Sequence, residues 1–227
     1  MIRKRRKDHD EDVTTDIVED VVVESNAESA QTDDDAPEAL PERPQGPWDA
    51  AEVDAEDDRI DFGGLRLKGV DGLQVQAQVD EKTGAVGVIT LVLGDGSLQV
   101  QVFAAPRATG IWSDARRQIM SSITGQGGLV EEAAGDYGTE LRARVPGQNG
   151  LQPVRFVGVD GPRWFLRGLF IGSASTPGGN AALEQVFRDL VVVRGDGAMV
   201  PGEVITLTLP QTAPQAPGEA GSGQPSQ

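Results

Sequence analysis

The sequence predicts an α+β domain, a mainly antiparallel sheet with two helices packed on it, between disordered termini. Three observations carry that prediction. Apolar residues alternate with glutamines over residues 73–79 and again over 98–102, two later stretches space their apolar residues at helical intervals, and the strongly acidic composition stops near residue 58. Strands, a helix, strands and a second helix lack the regular βαβ alternation of a doubly wound fold, so helices covering one face of an antiparallel sheet are expected.

Residues 1–58 hold 6 Lys or Arg against 20 Asp or Glu, and so carry −14 of the formal net charge of −16. With Asp33 to Asp35 in a row and prolines spread over 37–47, this stretch has too few large apolar groups to offset the entropy of ordering it, and a disordered acidic arm is expected. Residues 59–210 form the expected α+β domain. Its first strand is half-buried, with Leu73, Val75, Ala77 and Val79 pointing one way and Gln74, Gln76 and Gln78 the other. A turn over 80–84 leads to a run over 86–93 that is apolar on both faces, as a central strand would be. After Gly94, Asp95 and Gly96, the alternation of Leu98, Val100 and Val102 completes an antiparallel meander.

Beyond Pro106 the period changes. Ile111, Trp112, Ala115, Ile119 and Ile123 make one apolar stripe on a helix, and Gly125, Gly127 and Gly128 read as its stop. Strands follow over 129–133, 139–145, 154–159 and 163–171, the last two joined across Asp160, Gly161 and Pro162. Trp164 and Phe165 point to opposite faces of their strand, so at most one is expected in the core, and Trp164, sharing a face with Leu166 and Phe170, is that one. Asn180 caps a second helix marked by Leu183, Val186, Phe187 and Leu190. The valines at 191–193 and the alternation over 204–209 would close the sheet, and residues 211–227, rich in Pro, Gly, Ser and Gln, read as a disordered tail.

Much chemistry is excluded by composition. There is no cysteine, hence no disulfide, thiolate nucleophile or cysteine-held zinc. The one histidine, His9, lies in the arm, so no histidine triad or multi-histidine metal site can assemble in the domain. No Gly-Lys-Ser or Gly-Lys-Thr step is present for a phosphate loop. Glu131 with Glu132, and Asp57 with Asp58, read as solvated acids, and the cluster Asp54, Glu56, Asp57, Asp58 and Asp61 lacks the glycine and terminal glutamate of a calcium loop. No cofactor and no metal are expected. No run approaches the ~18 apolar residues of a membrane helix, so no membrane association and a cytoplasmic location are expected.

The residues singled out for binding are arginines. Glu140, Arg142 and Arg144 share one side of a strand, as do Arg163, Phe165 and Arg167 on another. If those strands are neighbours and Arg155 joins them, Arg142, Arg144, Arg155, Arg163 and Arg167 make an anion-binding face, because the guanidinium fork suits carboxylates and phosphates. The competing reading is compositional, since arginine outnumbers lysine 12 to 2 after Asp58. The expected function is a non-enzymatic binding or scaffold module that engages an acidic protein partner through this face, with the chain's own arm as an intramolecular occupant. The alternatives are a nucleic-acid-associated accessory protein, which could also use the basic residues 3–7, and an enzyme built on carboxylates and arginine.

Four strings, Gly-Pro-Trp-Asp at 46–49, Val-Asp-Gly-Leu-Gln at 70–74, Gly-Val-Asp-Gly-Pro-Arg-Trp-Phe-Leu-Arg-Gly at 158–168 and Val-Phe-Arg-Asp-Leu-Val-Val-Val-Arg-Gly at 186–195, resemble an actinobacterial family catalogued as domain of unknown function thirty-seven ten. The resemblance covers about residues 46 to 209. It implies a bacterial cytoplasmic protein with a variable acidic arm, and it supplies no catalytic residue. In plan the chain is also loosely similar to Mog1/PsbP-like α+β folds, whose members are mostly interaction proteins.

Overall fold

A computed structural model of the chain describes residues 40, 43–54, 58–79, 85–107, 109–148 and 150–209. The turn expected over 80–84, the basic residues 3–7, His9 and the tail from 211 lie outside them. The main sheet has seven strands, β4 (Gln74–Val79), β5 (Val86–Leu93), β6 (Gly96–Ala104), β7 (Leu129–Gly135), β8 (Gly138–Gly147), β9 (Gly150–Gly161) and β10 (Trp164–Gly172). Every pairing is antiparallel and the spatial order is β4-β5-β6-β10-β9-β8-β7. Two meanders, β4 to β6 and β7 to β10, therefore meet through their last strands. Each is followed by a helix that crosses onto the other half: α1 (Trp112–Gly125) packs on β7 to β9, and α2 (Ala181–Arg188) on β5 and β6.

The two helices lie on opposite faces, which corrects the expectation that both cover one. Ala115, Ile119 and Ile123 of α1 pack with Leu141, Ala143, Val145, Phe156 and Phe165, while Val186 and Phe187 of α2 pack with Leu98, Val100, Leu166 and Phe170. A strand between two covered faces is apolar throughout, as Phe156 to Val159 and Trp164 to Leu166 are. For the same reason Trp164 and Phe165 are both buried, so the expectation that at most one enters the core is also corrected. Phe165 stacks between Phe103 and Trp112, with each pair of ring centroids 5.7 Å apart.

Sequence patterning placed α1 and α2 well because their signals are local. All five residues of the first stripe are buried, and the Asn180 side chain accepts a hydrogen bond from Leu183 N at 3.1 Å. Elsewhere the chain departs from expectation. β4 is an edge strand exposed on both faces, not half-buried. The segment 204–209 forms no strand and instead makes isolated bridges, Val204 to Phe103 and Leu207 to Val86, in the gap where β5 and β6 diverge. Val191–Val192 (β11) do not extend the main sheet. They join a small second sheet of order β1-β11-β3-β2, with β1 Trp48–Asp49, β2 Ile60–Asp61 and β3 Leu65–Leu67.

That second sheet moves the domain boundary. Trp48 and Asp49 pair in parallel with Val191 and Val192, so ordered structure includes part of the stretch read as a disordered arm over 1–58. The apolar Trp48 and the capping side chain of Asp49 make this segment unlike the rest of the arm: Asp49 accepts from Ala51 N at 2.9 Å and Glu52 reaches back to Asp49 N at 2.7 Å, a capping box. Among the described residues, no helix is long and apolar enough to cross a membrane.

Candidate functional site

The five arginines do not share a surface. β9 lies between β8 and β10, so the strand bearing Arg142 and Arg144 is not the neighbour of the one bearing Arg167. Arg142 pairs directly with Arg155, and Arg155 with Phe170, placing Arg142, Arg144 and Arg155 on the α2 side of the sheet. Arg167, three residues before Phe170, falls on the opposite face, where it is buried, hydrogen-bonded to Gln101 and seated over the Phe103 ring at 5.5 Å. Burial lowers its guanidinium to about 10. Arg163 occupies the β9–β10 turn with φ at 65°, its carbonyl accepting from Ala105 N and from Arg194 Nε.

Arg155 faces inward. Its Nη2 pairs with Glu184 of α2 at 2.7 Å and its Nη1 with Glu140 at 3.4 Å, and its guanidinium lies 4.4 Å from the Phe170 ring. Glu140, itself buried, also accepts from Arg142 Nε at 2.9 Å. This is a structural network in which one carboxylate bridges two cations. Of the arginines expected to form a binding face, Arg142 and Arg144 are exposed. Arg142 is half committed to Glu140, and the exposed Arg144 guanidinium makes no ion pair or hydrogen bond among the described residues.

Arg142 and Arg144 line an open groove of about 390 Å³. Leu129 and Glu131 of the edge strand β7 form one margin, Pro153 part of the floor, and Thr176 and Pro177 the other margin. The groove thus places two guanidinium groups along one strand, side by side on the same face, with apolar and hydroxyl surface opposite them. Glu131 is a like-charged obstacle to an acidic occupant at one end.

A second, narrower cleft of about 310 Å³ was not legible in the sequence. It lies among Arg43, Gly46, Trp112, Tyr137, Gly158 and Asp160. Gly158 is required there, since a Cβ would come within 2.2 Å of the Trp112 ring. α1 has no capping side chain of its own at Ile111, and Asp160, far along the chain, takes that place by accepting from Ile111 N at 2.9 Å and Trp112 N at 3.3 Å. Burial pushes its carboxyl above the usual range, although those two N–H donors and Arg116 pull the other way. Burial likewise raises Tyr137, against the neighbouring Arg188. Three of the four strings quoted above, 46–49, 158–168 and 186–195, meet around this cleft, with the Arg188 carbonyl set against Gly46. Its acids are committed to structure: both oxygens of Asp160 are occupied.

A pH dependence follows from Asp160. Because its folded-state pKa exceeds the unfolded value of ~3.9, the folded chain holds that proton more tightly, so its contribution to stability falls as pH rises through the folded pKa. Relative to Asp160→Asn, the natural protein is expected to gain stability as pH drops from neutral towards ~4. Urea midpoints of the two proteins across that range check this; a constant difference would mean that the carboxyl is solvated.

Among the described residues, no group of three or more His, Cys, Asp or Glu side chains is gathered to hold a metal ion. The family model described as "Protein of unknown function (DUF3710)" matches residues 46–216. No curated protein and no solved structure matches the chain.

Proposed function

Starting from the fact that the chain belongs to this DUF3710 family of proteins of unknown function, we propose that it is a non-enzymatic binding module whose Arg142–Arg144 groove takes an acidic, extended protein segment. The observation that carries the reading is the Arg144 guanidinium, exposed in the groove with no partner among the described residues. Arg43, Arg66, Arg116, Arg117, Arg155 and Arg188 are each matched to a carboxylate. A guanidinium donates two parallel hydrogen bonds to a carboxylate, and a partner carrying acids two residues apart would meet Arg142 and Arg144 in turn. The groove is open to solvent rather than enclosed, which suits a chain segment better than a small molecule. Acidic residues 8–38 of the same chain carry this chemistry as well, so the chain itself is one source of such a segment.

The test is a salt-dependent NMR titration of the full chain with a synthetic aspartate-rich peptide. Shifts are expected at 129–131, 142–144 and 175–177, weaker at high salt because exposed charges are screened over ~8 Å at physiological ionic strength. Arg144→Glu should weaken binding about tenfold or more, the scale of one charge-assisted hydrogen bond. Shifts elsewhere, or affinity unchanged in Arg144→Glu, would remove the reading. Stronger shifts of the same residues with an oligonucleotide would transfer the groove to nucleic acid.

A further inference from the structure

The two edges of the main sheet are treated differently. β7 carries Glu131 and Glu132, both exposed, and α1 leans on it; charge and cover of this kind prevent an edge from pairing with another chain. β4 has neither. Its six residues, Gln-Val-Gln-Ala-Gln-Val, contain no charge, proline or glycine, and its valines stand exposed, Val75 by 38 % and Val79 by 45 %. An uncharged edge strand of this length is a template for strand addition.

The sequence of that edge also says what adds to it. Residues 75–79 read Val-Gln-Ala-Gln-Val, the same in both directions. In an antiparallel pair related by a two-fold axis at Ala77, Val75 stands opposite the partner's Val79, Gln76 opposite the partner's Gln78, and Ala77 opposite itself. Valines then meet on one face of the ribbon and amides, each able to donate and accept, on the other. The apolar face continues inward, because Leu73 and Ala77 already pack against the core shared with α2. No charge opposes a like charge anywhere along the five pairs.

We propose that two copies of this chain associate through β4, joining their seven-stranded sheets into one continuous sheet across the Ala77 axis. The contact is isologous and consumes the unguarded edge of both copies, so assembly stops at two. A strand pair of this length buries less than the ~1,600 Å² of a standard stable interface, and the dimer is accordingly concentration-dependent. The association is independent of the Arg142–Arg144 groove, which lies at the other end of the sheet.

The experiment uses the full chain. Sedimentation across the micromolar range should show the mass rising from 24.0 kDa towards twice that value. Gln76→Lys with Gln78→Lys sets like charges opposite one another and should weaken the dimer about tenfold or more, whereas Gln76→Glu with Gln78→Lys restores opposite charges in this register and should recover it. Near-ultraviolet circular dichroism of both double variants reports that the monomer fold is intact. Because the chain has no cysteine, Ala77→Cys introduces a lone thiol, and mild oxidation should cross-link it much faster than Val200→Cys, an equally new thiol on an exposed residue elsewhere. A mass of one chain at every concentration overturns the proposal, as does cross-linking of Ala77→Cys no faster than that of Val200→Cys.

Discussion

Arg155→Ala is expected to destabilise the domain by about 3–5 kcal/mol, the cost of removing one partner from a buried ion pair. Arg155 is 6 % exposed and ties two elements: Glu140 of β8 on one side and Glu184 of α2 on the other. Without it, Glu184 can turn outward, but Glu140, 3 % exposed, keeps only Arg142 at the groove margin as a counter-ion. The damage therefore comes mainly from an under-compensated carboxylate. It follows that Arg155→Met combined with Glu140→Leu should recover most of the loss, since apolar replacement of both partners leaves no orphaned charge. Urea denaturation of Arg155→Met, Glu140→Leu and the double variant forms a cycle. Additive losses would show that the pair is not coupled, and a loss below about 1 kcal/mol for Arg155→Ala would place the network in solvent.

The same residue marks where the sequence stops being readable. Period two correctly placed Arg142 and Arg144 on one side of β8, and helical period correctly placed Trp112, Ala115, Ile119 and Ile123 on the buried side of α1. Both signals are local. Alternation cannot say which side faces solvent once both sides of a sheet are covered, and that is why it reads the polar Arg155 and Arg167 as outward although both are buried. The sign of a doubly covered sheet was present in the continuous apolar run from Phe156 to Val159. Register across three strands was not present at all, because β8 and β10 are separated by β9 and no local pattern records that. Asp160 capping α1 from β9 was equally invisible: the helix start has no capping residue, and the missing cap pointed to no particular donor. The cleft beside it is built from four separate segments, and only the resemblance strings mark two of them, at Gly46 and at Gly158 to Asp160.

Trp164 should prove the other costly position, for it closes a ring of contacts that fastens residues 43–52 to the main sheet. Its Nε1 donates to Asp49 at 2.7 Å, Asp49 N donates to Glu52 at 2.7 Å, Glu52 pairs with Arg43 at 2.7 Å, and the Arg43 guanidinium lies 4.9 Å from the Trp164 ring. The indole is fully buried, so Trp164→Ala is expected to cost about 3–5 kcal/mol through the cavity it leaves. Trp164→Phe refills much of that cavity but leaves Oδ2 of the half-buried Asp49 without its donor, and about 1–3 kcal/mol is expected from the unsatisfied atom. The two variants should differ in a second respect. Both lose the link to Asp49, so hydrogen exchange of the Trp48 amide, which donates to Leu190 O at 2.9 Å, should accelerate in both relative to the β9 and β10 amides. If Trp164→Phe leaves Trp48 exchange unchanged, the indole N–H is not what holds the amino-terminal segment, and packing of the ring alone accounts for the loss in Trp164→Ala.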